Sequence, residues 1–317
     1  MTPAKARSAG KAPRPRRRPG PPTSRGLPLW AVVAALVAVG IVVVVVTRGS
    51  SGGGTRPSAA DALAHVHGLG INPGDGDLYA ATHFGLFRVP AQGGQALRVG
   101  NLVQDTMGFT VVGPDHFLGS GHPDINDQKL RKPGRPPLLG LIETIDGGKT
   151  WRSTSLLGEA DFHALAAAHG HVYGYDSTSS RFMVSADGKQ WDTRSELGLA
   201  DFAVDPADAD HLVASTERGL AASDDGGRTW EPIDGPRLAF VSWGSELGLW
   251  GVSATGEVHR LVDGRWEARE GLGGEPQALL VANDRLYAAA AAAGGATAIY
   301  VSEDEGRSWQ LYYSDRS

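Results

Sequence analysis

The chain has 317 residues, no cysteine and a formal net charge of −5. Without cysteine there are no disulfides, no thiol chemistry and no lipid anchor on a cysteine. The charge is unevenly placed: residues 1–48 hold nine Lys/Arg and no Asp or Glu, leaving 21 basic against 35 acidic residues beyond them, which argues against a nucleic-acid partner.

Residues 1–26 are rich in Pro, Arg and Gly, a composition that cannot bury a core, and read as a disordered basic tail. A membrane anchor is expected over residues 27–48. Its centre, Leu29 to Thr47, has no charged side chain, and nineteen helical residues at about 1.5 Å each match the bilayer hydrocarbon. The run is long for a cleaved signal, and no clear small-x-small site precedes Arg48. The basic flank should stay in the cytoplasm, so the expectation is a single-pass cell-membrane protein whose C-terminal part faces outward. Residues 49–60, with Ser50-Ser51-Gly52-Gly53-Gly54, form a flexible Gly/Ser linker.

From residue 61 to 317 the chain repeats. Thr144-Ile145-Asp146-Gly147-Gly148-Lys149-Thr150-Trp151 returns as Ser185-Ala186-Asp187-Gly188-Lys189-Gln190-Trp191, shorter by one residue. It returns again as Ser223-Asp224-Asp225-Gly226-Gly227-Arg228-Thr229-Trp230 and as Ser302-Glu303-Asp304-Glu305-Gly306-Arg307-Ser308-Trp309. Val262-Asp263-Gly264-Arg265-Trp266 keeps only the turn and the Trp. Each copy reads as a hairpin in which the Asp carboxylate accepts backbone N–H bonds and Gly takes the positive φ. Tryptophans 151, 191, 230, 266 and 309 are spaced by 36 to 43 residues. A period near 40 with several short strands per unit marks a β-propeller. Six four-strand units are legible, at about 65–99, 105–155, 160–195, 200–234, 237–269 and 275–314. The fold class is all-β, a six-bladed propeller, and a closed ring of this kind is expected to be a monomer.

These turns resemble the Asp-box, or BNR repeat, of sialidases, sortilin-type receptors and a photosystem II assembly factor. In those families the box is a structural turn, so Asp146, Trp151, Asp187, Trp191, Asp225, Trp230, Asp304 and Trp309 are read as scaffold. A wider likeness runs through His65 to Leu69, Ala81 to Val89, Met107 to Thr110 and Gly119 to Pro123. It is to bacterial, largely actinobacterial, anchored or secreted propellers labelled glycosylhydrolase or exo-α-sialidase.

Aligning the units puts chemistry at one mouth of the central channel. Blades 1 to 3 supply His67, His83, Met107, His122 and His163, with His65, Asp105, Asp161 and Asp176 beside them. Blades 5 and 6 offer mainly Ala. Imidazole with thioether suits copper, and imidazole with carboxylate suits zinc. The expected metal ligands are His67, His163 and either His83 or His122, with Met107 as a soft addition. Residues 123–137 of unit 2 form an insertion expected to hang over this side as a lid. Such a mouth would bind a glycan, a metal ion or an extracytoplasmic protein.

Two other functions stay open. The sialidase likeness implies glycoside hydrolysis, with three Arg on a carboxylate and a Tyr nucleophile. Here Arg218 and Arg237 reach the mouth without a third, Phe87-Arg88-Val89-Pro90 lies on an outer strand of blade 1, and Asp161, Tyr175 and Asp176 are the catalytic candidates. The third function is a scaffold for assembling a membrane protein complex through the acidic propeller surface.

Overall fold

The computed structural model describes residues 1, 63, 65–291 and 296–314. The expected membrane span and linker therefore lie outside the described residues, among which no helix is long and apolar enough to cross a membrane.

Twenty-four strands form six antiparallel sheets of four, each sheet built from consecutive strands. Blade 1 contains β1 (Val66–Ile71), β2 (Leu78–Thr82), β3 (Gly85–Val89) and β4 (Leu97–Arg98). Blade 2 contains β5 (Asp105–Gly113), β6 (His116–His122), β7 (Leu141–Thr144) and β8 (Arg152–Ser155). Blade 3 contains β9 (Phe162–Ala168), β10 (His171–Asp176), β11 (Arg181–Ser185) and β12 (Asp192–Glu196). Blade 4 contains β13 (Leu199–Asp205), β14 (Asp208–Thr216), β15 (Gly219–Ser223) and β16 (Glu231–Ile233). Blade 5 contains β17 (Phe240–Gly244), β18 (Gly248–Val252), β19 (Val258–Val262) and β20 (Arg265–Ala268). Blade 6 contains β21 (Glu275–Ala282), β22 (Arg285–Ala291), β23 (Thr297–Ser302) and β24 (Gln310–Ser314).

The core lies between blades, so a middle strand is covered on both faces and loses the polar alternation of a half-exposed sheet. All five residues of β2 are buried. Small residues set how closely sheets approach: a Cβ on Gly174 of β10 would lie 2.6 Å from the Phe162 ring.

The repeated turns tie each outer hairpin to itself and to the preceding blade. The carboxylates of Asp146, Asp187, Asp225 and Asp304 accept the N–H of Thr150 (2.9 Å), Gln190 (2.8 Å), Thr229 (2.8 Å) and Ser308 (2.9 Å). The indole N–H groups of Trp191 and Trp230 donate to Ser155 Oγ (2.9 Å) and Ser195 Oγ (3.0 Å), one blade back. In blade 5, Asp263 and Gly264 both take positive φ (48° and 74°), the geometry of a two-residue hairpin turn.

Among the described residues the ring closes without a strand exchanged between its ends. β1 packs against β21, and Leu63, Val66, Leu69 and Leu78 share one core cluster with Ala278, Tyr287, Ile299 and Val301. A polar latch crosses the same seam. Gln277 Oε1 accepts the Val66 N–H at 3.0 Å and the Thr297 hydroxyl at 3.0 Å.

The blade 2 insertion, expected to hang over the mouth as a lid, is held by contacts of its own. Asp124 accepts the N–H of Val103 and Asn126, both at 2.8 Å. Leu130 and Leu139 are buried with Ile142 against Leu102 and Trp151. Leu130 within the segment, Leu139 just past its end and a turn-capping carboxylate hold it down.

Candidate metal centre at the channel mouth

A channel of about 620 Å³ runs between the inner strands, with His67 and His163 in its wall. At one end five of the inner strands carry the same irregularity. The pairing register of β1, β5, β9, β13 and β21 skips one residue there, and the residues skipped are His67, Met107, His163, Ala200 and Gln277. A bulge turns the extra residue out of strict alternation, which is how side chains of neighbouring blades come to face one another here.

The structure brings together His65, His67 and His83, whose ligand-capable nitrogens all lie within 4.8 Å of one another. Asp105, at the start of β5, completes the group. His67 Nε2 and His83 Nδ1 are 3.2 Å apart, and Asp105 Oδ1 is 3.4 Å from the first and 2.8 Å from the second. Ligands about 2.0–2.1 Å from one tetrahedral zinc stand about 3.3 Å apart, so this triangle has the edges of a metal face.

His122 joins two carboxylates, with Nδ1 at 3.4 Å from Asp105 Oδ2 and Nε2 at 3.5 Å from Asp161 Oδ2. His163 Nε2 is 2.9 Å from the same Asp161 oxygen. Asp161 is buried, and its Oδ1 has no partner among the described residues. The sequence alignment thus gathers the right residues, but the structure sorts them into a nitrogen-rich group around Asp105 and a hydrogen-bonded arm around Asp161. His65 enters the first group from the residue just before β1, a place the alignment assigns to ligand binding rather than to metal. Met107 is buried at its bulge, and the triangle is complete without it.

The catalytic candidates fare differently. Tyr175 is packed into the core between blades 3 and 4. Asp176 is occupied as a turn cap, accepting the Asp161 N–H (2.9 Å), the Thr178 hydroxyl (2.8 Å) and the Ser179 hydroxyl. His116, which opens β6, and His211, within β14, pair instead with Glu143 (2.7 Å) and Asp224 (2.5 Å).

Burial, with His67 and His83 beside it, pushes His65 down to about 3, and burial also lowers His67. Both rings are neutral, as metal ligation requires. His122 is shifted upward by its hydrogen bond to Asp105, against burial. Burial resists ionisation of Asp105, yet hydrogen bonds from His122, His67 and His83 outweigh it and hold the carboxyl far below the usual range. Asp201 of blade 4, the residue after the Ala200 bulge of its own inner strand, behaves differently. Burial pushes it up to about 7 although it accepts the N–H of Val241 and Phe202. Its carboxylate partners are backbone N–H groups rather than imidazoles.

A pH dependence of stability follows for the metal-free chain. His65 takes a proton in the unfolded state near 6.5 but in the fold only near 3, so its contribution is full above 6.5 and lost as pH falls between these values. Each pH unit in that window is worth up to about 1.4 kcal/mol. Asp201 acts in the opposite direction over part of the range, so the test is a difference. In chelator, a His65→Gln chain should lose less melting temperature between pH 7 and pH 5 than the wild type. Parallel curves would show that His65 is not held neutral.

Neither a protein family nor a curated protein matches the sequence. Solved structures do. A GH74 enzyme from Niastella koreensis is 14% identical with a TM-score of 0.53, over 78% of this chain and 45% of that one. A gluconolactonase from Xanthomonas campestris is 14% identical with a TM-score of 0.56, over 78% of this chain and 86% of that one. YCF48 bound to a D1 peptide is 16% identical with a TM-score of 0.50, over 81% and 82%. These likenesses establish the fold. The chain spans less than half of the GH74 enzyme's length, and enzymes stand beside a peptide-binding propeller among its neighbours, so the architecture does not choose between catalysis and binding.

Proposed function

We propose that the chain is a membrane-anchored, outward-facing propeller of the Asp-box kind that binds a divalent transition metal ion, zinc or copper(II), at the mouth between blades 1 and 2. His65, His67, His83 and Asp105 are the ligands. The observation that carries this reading is the triangle of His67 Nε2, His83 Nδ1 and Asp105 Oδ1, with edges of 3.2, 3.4 and 2.8 Å. Protons alone satisfy it poorly. If both facing nitrogens carry a proton, two N–H groups oppose each other; if only one does, a lone pair of the other ring faces the carboxylate oxygen. A cation at the centre lets all three atoms act as acceptors. Imidazole and carboxylate without sulfur select borderline divalent ions over copper(I).

The test is titration of the full chain in detergent, after chelator treatment, with zinc and with copper(II). One saturable equivalent is expected, and only nonspecific binding would sink the reading. The orientation is tested separately, because the charge asymmetry of residues 1–48 and the uncharged run 29–47 carry it. The chain should remain with membranes through a high-salt wash and lose its propeller to protease added outside the cell. Release of a shortened soluble product would point to a cleaved signal instead.

A further inference from the structure

We infer that the metal ion at this mouth clasps the closure of the ring. The inference rests on the metal reading above and adds a consequence that the ligand set alone does not require.

His65 and His67 flank Val66, and the Val66 N–H is the group held by Gln277 of the last blade at 3.0 Å. Leu63, two residues upstream of His65, is fully buried in the core cluster shared by blades 1 and 6. The residues that would hold the ion therefore bracket the segment by which the first blade grips the last. The remaining ligands come from elsewhere: His83 follows β2, and Asp105 opens β5 in blade 2. An ion held by all four fixes the start of β1 to the body of blades 1 and 2. The start of β1 also carries blade 1's half of the latch, the Val66 N–H. Among the described residues no strand crosses between blade 6 and blade 1, so packing and the Gln277 latch are what such a clasp would reinforce. A seam opening in which the start of β1 frays displaces Val66, with it His65 and His67, and so costs the ion two of its ligands.

The coupling gives a local signature. If Val66 exchanges its amide hydrogen through an opening that releases the metal, free zinc at 100 times its Kd slows that exchange about 100-fold. Two internal controls sit at other blade junctions: the Val241 N–H on Asp201 Oδ2 (3.0 Å) and the Val281 N–H on Ser242 Oγ (2.9 Å). These report openings that leave the ligands in place and should slow far less. The reciprocal effect is required by linkage. Gln277→Ala, which touches no ligand, should weaken zinc binding at least about fivefold, the lower end of ordinary coupling.

The experiment is hydrogen exchange on the full chain in detergent with zinc alone as the probe, together with zinc titration of wild type and Gln277→Ala. Val66 slowed well beyond Val241 and Val281, with weaker zinc binding by the variant, is the expected result. Saturable zinc binding with equal slowing at all three amides, or with unchanged affinity in Gln277→Ala, would overturn the clasp and leave the metal site standing. No saturable binding at all would remove both.

Discussion

Replacing His67 and His83 together by Ala should reduce zinc and copper(II) binding to the nonspecific level. Loss of a partner that only orients a ligand typically costs 10- to 100-fold in metal affinity, so loss of two ligands should exceed about 100-fold. Asp105→Asn keeps the shape and removes the charge. It should weaken binding by a smaller but clear factor, because an amide oxygen is a poorer ligand and a neutral neighbour no longer offsets the ion's charge. His163→Ala is the informative contrast. His163 bonds to Asp161 (2.9 Å) and stands outside the nitrogen group, so its removal should leave affinity within a few-fold of wild type. Met107→Leu should behave likewise. A loss in His163→Ala equal to that of the double variant would restore the ligand set the sequence alone implies, His67 with His163, and displace His65. Melting curves in chelator must accompany these titrations, since His67 is a largely buried side chain.

A large loss of stability is expected far from the site, at Gly227→Ala. Gly227 is the second glycine of the blade 4 turn, with φ of +88°. A Cβ there would stand 2.2 Å from the Phe182 ring, which is itself fully buried and packed edge-on against Trp230 at 5.4 Å. The substitution therefore combines left-handed backbone strain, about 1–2 kcal/mol for a non-glycine residue, with overpacking of a rigid aromatic, typically 1–3 kcal/mol. A sum of about 2–5 kcal/mol is a large share of a domain's total stability; at roughly 2–4 °C per kcal/mol for a domain of this size, the chain should melt about 4–20 °C lower or fail to accumulate folded. Gly76→Ala is the companion measurement. Its φ is also positive, at 76°, but nothing stands within 4 Å of the added Cβ, so it should show the backbone cost alone. Equal losses at the two positions would mean that the contact with Phe182 adds nothing.

Blade boundaries were legible because one turn chemistry recurs with one aromatic: the Asp needs its N–H donors and the Trp needs the preceding blade, so both recur at the blade period. The mouth was legible in part. Alignment of inner strands found His67, Met107 and His163 at one position, and that position is the bulge. What alignment could not show is that the bulge serves different ends in different blades. In blade 6 it aims Gln277 across the seam, and in blade 3 it gives His163 to Asp161. Alignment put His65 at the mouth but not among the metal ligands, where a ring stacked on His83 at 5.1 Å now sets it. Tyr175 and Asp176 are neighbours in one strand, so they point to opposite faces, and the face that takes the phenol is interblade core. In the insertion the charges are conspicuous, and the anchoring leucines, Leu130 within it and Leu139 just past its end, are not.

The order of the strands bears on how the ring forms. Each strand pairs only with its neighbours in sequence, so every sheet can assemble by closing short loops, the cheap kind of contact in entropy. Junctions within the ring join residues 39 or 40 positions apart, as in Val281 with Ser242 and Val241 with Asp201. The Val66–Gln277 bond spans 211 positions. Loop closure over that distance costs about 1.5 kcal/mol more than over one blade. The first and last blades are thus the pair that must meet latest, after the other five junctions have already drawn the chain into an arc.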